Sequence, residues 1–211
     1  MNYVGLFLSG AVLFLNSLTL LGKASQKSAA LLNLFVGTLQ IIFPIYLIVV
    51  SEQTNWDFYN YTAIFLFGLT FLYTGATALM KLEGDGLGWF SLWVSVIAVV
   101  YTITSFVHFH DAVNGLTWAM WALLWFLFFL INTLNKNIHH FVGIVAFVQS
   151  WVTLTIPSIL FFLGISNNST VNQVMIYVLV ISILFFVYSM VKQKVSIRNE
   201  LSLAKDSSVQ S

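Results

Sequence analysis

The chain has 211 residues, 59% of them hydrophobic and only 7% charged, with a formal net charge of +1. A soluble domain of this length needs a far more polar surface, and so small a charge excludes the basic field that nucleic-acid binding demands. There is no cysteine, which removes disulfide frameworks, thiolate metal sites and thiol catalysis.

About 20 apolar residues cover the roughly 30 Å hydrocarbon core of a bilayer. Seven stretches qualify, at 3–21, 31–50, 61–80, 89–107, 116–134, 141–163 and 174–191. They take up most of the chain. The expected fold is therefore an all-α membrane protein, a single bundle of seven transmembrane helices over 1–195 with short connections. Residues 1–3 lack the positive n-region of a signal peptide, and the segment after them is long enough to span and stay.

Spans one and two contribute neutral polar groups at Asn16, Asn33 and Gln40. Span three carries Phe67 and Phe71 at i, i+4 beside Gly68. Gly84, Gly86 and Gly88 then surround Asp85, but they follow a span instead of a strand and fit no phosphate-binding fingerprint, so they read as a turn. Span four ends at HFHD, with His108, His110 and Asp111. A zinc site needs a third or fourth ligand that the neighbouring sequence does not offer. Two readings of the histidines stay open: exposed loop residues, or a pH sensor at the outer mouth, since histidine titrates near about pH 6.5.

Span five, LTWAMWALLWFLFFLINTL, is the most distinctive. Trp118, Trp121 and Trp125 lie at i, i+3 and i+7 and share one helical face, which Phe129 continues. An indole N–H in lipid has no partner, so Trp125 near the span centre faces other helices or a pore. Helix packing and pore wall both remain open at this point. In span six, Gln149 is a lone amide whose donors and acceptor are costly to leave unpaired. Pro157 leaves a carbonyl near position 153 without its donor, and Thr153 stands ready to compensate. Span seven has no mid-helix lysine, which rules out the retinal Schiff base of a seven-helix rhodopsin.

Lys23 and Lys27 follow span one, Lys81 span three, Lys136 span five, and Lys192, Lys194, Arg198 and Lys205 span seven. The opposite loops carry Glu52, Asp57 and Asp111 and no Lys or Arg. The positive-inside rule places the N-terminus outside and the C-terminus inside. Residues 196–211 are polar and of mixed sign, and read as a disordered cytoplasmic tail. Span centres hold no titratable group of the kind a proton- or ion-coupled transporter uses. There is no TVGYG-like filter or acidic ring, and no acid, base, metal set or activated nucleophile within the membrane for an enzyme. A small neutral solute that hydrogen-bonds and stacks suits what remains.

Several of these pieces, in order, resemble the AmiS/UreI family of urea and short-chain amide channels. They are GAVLFLN ending at Asn16, NLFVGTLQII beginning at Asn33, LFGLTFLY in span three and GWFSLW opening span four. The Trp-rich stretch, Gln149 and the Ile156–Pro157 pair complete the series, which runs over spans one to six. The resemblance implies a six-helix channel core with an extra C-terminal helix, in a multi-pass protein of the bacterial cytoplasmic membrane. It implies a homohexamer in membrane lipid in which each protomer encloses its own pore for urea or a short-chain amide. A cytoplasmic urease or amidase would be the functional partner, with no cofactor and no enzymatic activity in the chain itself. Carried over residue by residue, the implied lining is Ser9, Leu13, Asn16, Phe67, Phe71, Trp118, Trp125, Phe129 and Gln149. Trp121 lies on the same face but does not register cleanly with the family's spacing. Two departures bear on function: Gln149 stands where the family often has a glutamate, and the loop 51–60 lacks the histidines of acid-gated members, so acid gating is expected to be weak or absent.

Other readings differ in what they demand. An ammonia transporter needs no polar stacking groups, and a carrier of short carboxylic acids wants a cation that the spans lack. A seven-helix sensor or receptor needs a signalling surface, and the inner loops are short.

Overall fold

The computed structural model describes the backbone of residues 2–209 and the side chains of residues 3–192. Its elements are α1 (Asn2–Leu20), α2 (Gln26–Val50), α3 (Asn55–Met80), α4 (Asp85–Val107) and α5 (Ala112–Asn132). Then come α6 (His139–Gln149), a π-helical turn (Ser150–Thr155), α7 (Ile156–Phe162) and α8 (Ser169–Val209). Segments α6, π turn and α7 form one continuous span, so seven helices are long and apolar enough to cross a membrane. The all-α, seven-span architecture read from the sequence holds.

Several helices begin earlier than the apolar stretches. Hydropathy registers only the apolar stretch, whereas capping sets where the backbone turns helical. Ser25 accepts the Ser28 N–H at 3.2 Å and starts α2 at Gln26. Thr54 and Asp57 form a reciprocal capping box at the start of α3. Asp111 accepts the Asn114 N–H at 2.9 Å and starts α5.

Helices α2 and α3 pack as a close hairpin, as do α4 and α5, while α1 lies against α2, α6 and the π turn. Glycines permit the closest approach: a Cβ on Gly37 would come within 2.9 Å of the Leu72 nitrogen, and one on Gly68 within 3.0 Å of the Gln40 carbonyl carbon. Such small residues let membrane helices touch backbone to backbone, where van der Waals packing replaces the hydrophobic effect as the source of association. Helix α5 is the most buried of the spans and forms the spine of the bundle. Helix α8 packs mainly on α5 and more lightly on α6. It turns Met175, Leu179, Ser182 and Phe186 inward and leaves Tyr177, Ile181, Leu184 and Tyr188 exposed, as on a lipid-facing helix. The backbone of 196–209 continues α8; the side chains there, and Gln210 and Ser211, lie outside the described residues.

The π turn answers to Pro157, which has no N–H to sustain the i→i−4 ladder. The helix widens so that the Ile156 N–H reaches Trp151 O, and Thr155 Oγ1 donates to Ser150 O at 2.7 Å. The expectation that Thr153 compensates for the bond lost at its own carbonyl is not met: its hydroxyl donates to Gln149 O at 2.7 Å. Gly10 on α1 seats this turn, since a Cβ there would collide with Thr155 Oγ1 and lie 3.2 Å from Ser150 O.

Candidate functional site

Two cavities enter the bundle from opposite ends. The outer one, about 540 Å³, opens between Asp57 and Asp111 and narrows past Tyr59, Tyr101 and Trp118 to Phe67 and Trp121. The inner one, about 470 Å³, opens between Lys27 and Lys81 and narrows past Asn16 and Asn33 to Leu13 and Phe71. Between them lies a gap of only about 20 Å³, walled chiefly by Leu13, Phe67, Phe71, Trp121, Trp125 and Leu154. The shape is an hourglass with an almost dry waist.

Aromatic rings run down the outer half as one wall. Tyr59 stacks on Tyr101 at 4.2 Å and Tyr101 on Trp118 at 4.3 Å, and Trp118 meets Trp121 edge-on at 4.8 Å. Phe67 lies 4.8 Å from Trp121 and 4.9 Å from Trp125, so its ring closes the waist from the α3 side. Threonines hold the two central indoles. Trp121 Nε1 donates to Thr153 Oγ1 at 2.9 Å and Trp125 Nε1 to Thr70 Oγ1 at 3.2 Å. Each hydroxyl passes its own proton to a carbonyl one turn earlier, Gln149 O and Leu66 O. The waist thus keeps its N–H groups satisfied and presents ring faces, edges and aliphatic carbon to the gap.

Replacing Thr153 by valine keeps the shape and strands the Trp121 N–H, at about 1–3 kcal/mol for a buried donor left unpaired. The expected outcome is a lower thermal midpoint and a shifted indole emission; no change in either would mean that this bond does not hold the ring.

Most residues implied by the resemblance stand on this passage. Ser9 and Trp118 line the outer cavity, Asn16 the inner one, and Leu13, Phe67, Phe71, Trp121 and Trp125 the waist or its approaches. Trp121, which the family's spacing left apart, is among the waist residues. Two placements are corrected. Phe129 faces away from the cavities and packs on Trp89 of α4 at 5.1 Å, because the wall follows a 3–4–3 spacing that continues to Phe128. Gln149 is fully buried off the wall, where its Nε2 donates to Met120 O at 2.9 Å and braces α6 against α5.

Tyr59, Tyr101, Gln40 and the two threonine anchors belong to the site as well. Nothing in the sequence separates an anchoring threonine from one that merely bonds its own helix. His108 is exposed on the outer rim, stacked 4.1 Å from Trp56, and His110 lies beside it in the loop, outside the cavity linings. Among the described residues no group of three or more His, Cys, Asp or Glu side chains is placed to hold a metal ion.

A family model described as AmiS/UreI family transporter matches residues 1–165 and ends just before α8. Over 165 residues the chain is 42% identical to a putative transporter protein AmiS2 of Rhodococcus erythropolis, covering 78% of this chain and 80% of the relative. Over 169 residues it is 38% identical to a putative amidate substrates transporter protein of Mycolicibacterium smegmatis, covering 80% and 78%. The fold superposes on the cryo-EM structure of the Helicobacter pylori urea channel in its closed state. That match has a TM-score of 0.71 and 28% identity, over 77% of this chain and 98% of that one.

Proposed function

Since the chain belongs to the AmiS/UreI family, a family of transporters and not of enzymes, we propose that it is a passive channel for urea and short aliphatic amides. The observation that carries this reading is the hourglass: two wide cavities, charged only at their mouths, meeting at an aromatic waist with no ionisable side chain on its wall. A flat neutral solute slides between ring faces, whereas an ion would lose its hydration shell and gain no compensating charge. The absence of a titratable group at the waist supports downhill flux over coupled transport.

In this reading Ser9, Leu13, Asn16, Phe67, Phe71, Trp118, Trp121 and Trp125 contact the solute. The family relation supports a homohexamer in a bacterial cytoplasmic membrane, each protomer conducting by itself, with a cytoplasmic urease or amidase consuming what enters. Stopped-flow uptake into proteoliposomes tests it. Urea and acetamide are expected to enter far faster than into empty liposomes, without saturation. Flux is expected to stay within about twofold between about pH 7.5 and about pH 5, the range in which histidine ordinarily titrates. A steep rise at low external pH, lost on replacing His108 and His110 by alanine, would show acid gating instead; no uptake by folded protein would reject the channel.

A further inference from the structure

Buried hydroxyls in this bundle follow one habit, which is to donate to a backbone carbonyl. Thr70, Ser91, Ser105, Thr153, Ser158 and Ser182 each bond the carbonyl four residues earlier. Ser17 and Ser150 bond the one three residues earlier, and Ser95 reaches Ala122 O on α5. This is what a hydroxyl in hydrocarbon does when no better acceptor is near.

Tyr59 OH and Thr77 Oγ1 are sealed off without any partner, and two residues buried as a whole also depart from the habit. Ser9 and Thr117 are 1% and 8% exposed, and neither donates to an acceptor among the described residues. Both line the outer cavity, from α1 and α5, together with Phe67 and Trp121 of the waist. Ser9 Oγ accepts from Gln40 Nε2 at 2.5 Å, and the same Nε2 donates to Gly5 O at 2.7 Å, which fixes the orientation of that amide. With one lone pair of Ser9 so engaged and its proton uncommitted, the hydroxyl is set up to donate. Thr117 Oγ1 is not among the side-chain atoms sealed off without a partner, so its free side opens on the cavity. The inner cavity contrasts with this. There Thr19, Thr74 and Ser91 donate to their own helix, Asn16 and Asn33 bond each other at 2.7 and 3.0 Å, and the unpartnered Thr77 Oγ1 is sealed from the cavity.

We propose that Ser9 and Thr117 form a docking position in the outer cavity that donates to the carbonyl oxygen of a carboxamide or urea before it enters the aromatic waist. A carbonyl oxygen has two lone pairs and accepts from two donors, so it can replace two waters as the solute leaves its hydration shell. The position exists on the outer side only, which favours capture from outside without altering the equilibrium across the membrane. The proposal rests on the reading of the protein as an amide and urea channel.

Acetamide and thioacetamide test it, because they differ little in shape while sulfur accepts hydrogen bonds weakly. Uptake of both is measured in proteoliposomes, with the rate into empty liposomes subtracted, for wild type, Ser9→Ala, Thr117→Val and Thr117→Ser. The ratio of acetamide to thioacetamide flux is expected to fall by about threefold to tenfold in Ser9→Ala and Thr117→Val, the worth of a neutral hydrogen bond. Thr117→Ser, which keeps the hydroxyl, is expected to restore the ratio. If both solutes slow equally, or the ratio stays at its wild-type value, the hydroxyls are structural only and the proposal is overturned while the channel reading stands. If folded wild type conducts neither solute nor urea, both fail together.

Discussion

Replacing Phe67 by alanine is expected to join the two cavities into one open passage and to abolish discrimination by size. The ring is half-buried and stands between Trp121 and Trp125, 4.8 and 4.9 Å away, with Phe71 at 6.3 Å. No hydrogen bond holds it, whereas both facing indoles are fixed to threonines. Its removal opens the gap of about 20 Å³ to cavities of about 540 and 470 Å³. A buried Phe→Ala change costs about 3–5 kcal/mol in a closed core, and less here because the ring already borders empty space. Uptake of acetamide and of the longer butanamide is the measurement. Wild type is expected to prefer acetamide strongly, and the variant to admit both. A variant that folds but conducts neither would show that the ring is a stacking partner the solute needs, and not a plug.

The second large effect is expected from Gly10→Ala, a change of one methyl group. That carbon would overlap Thr155 Oγ1, with Ser150 O and the Thr155 nitrogen each 3.2 Å away. The π turn must then shift or α1 must retreat, at about 1–3 kcal/mol for overpacking. Because Thr153 in the same turn holds Trp121, the strain reaches the waist and is expected to slow acetamide uptake at least severalfold. The double variant Gly10→Ala, Thr155→Ala removes the colliding hydroxyl and is expected to recover most of the flux and of the thermal midpoint. If the double variant is no better than the single one, the backbone contacts dominate, and seating of the turn by the Thr155 side chain is refuted.

The sequence made the bundle legible because hydrocarbon allows so few solutions. A long apolar run must be a helix, and the side on which lysines gather gives its direction. Helix starts were less legible, because Ser25, Thr54 and Asp111 cap polar turns that hydropathy ignores. In the site, the 3–4 spacing of Trp118, Trp121 and Trp125 marked one face of α5. Extending that face by four residues chose Phe129, although the structure continues it through Phe128. At that point a helical wheel puts either residue about as near the face, and only the position of α4 decides. Gln149 misled for a related reason. A lone amide in lipid must find partners, but its sequence does not say whether they are a solute or a neighbouring helix, and Met120 O supplied one. The uncommitted protons of Ser9 and Thr117 depend on what neighbouring helices leave unoffered, so no pattern within a single span reveals them.

The satisfied indoles at the waist also bear on how a cell maintains its energy supply. A gap of about 20 Å³ has room for roughly one water. Such a water needs two to four polar partners to stay, yet the Trp121 and Trp125 N–H groups are already held by Thr153 and Thr70. With the waist in this closed arrangement no file of waters bridges the two cavities, so protons have no chain along which to hop. A membrane that carries many copies at rest in this arrangement therefore keeps its proton gradient.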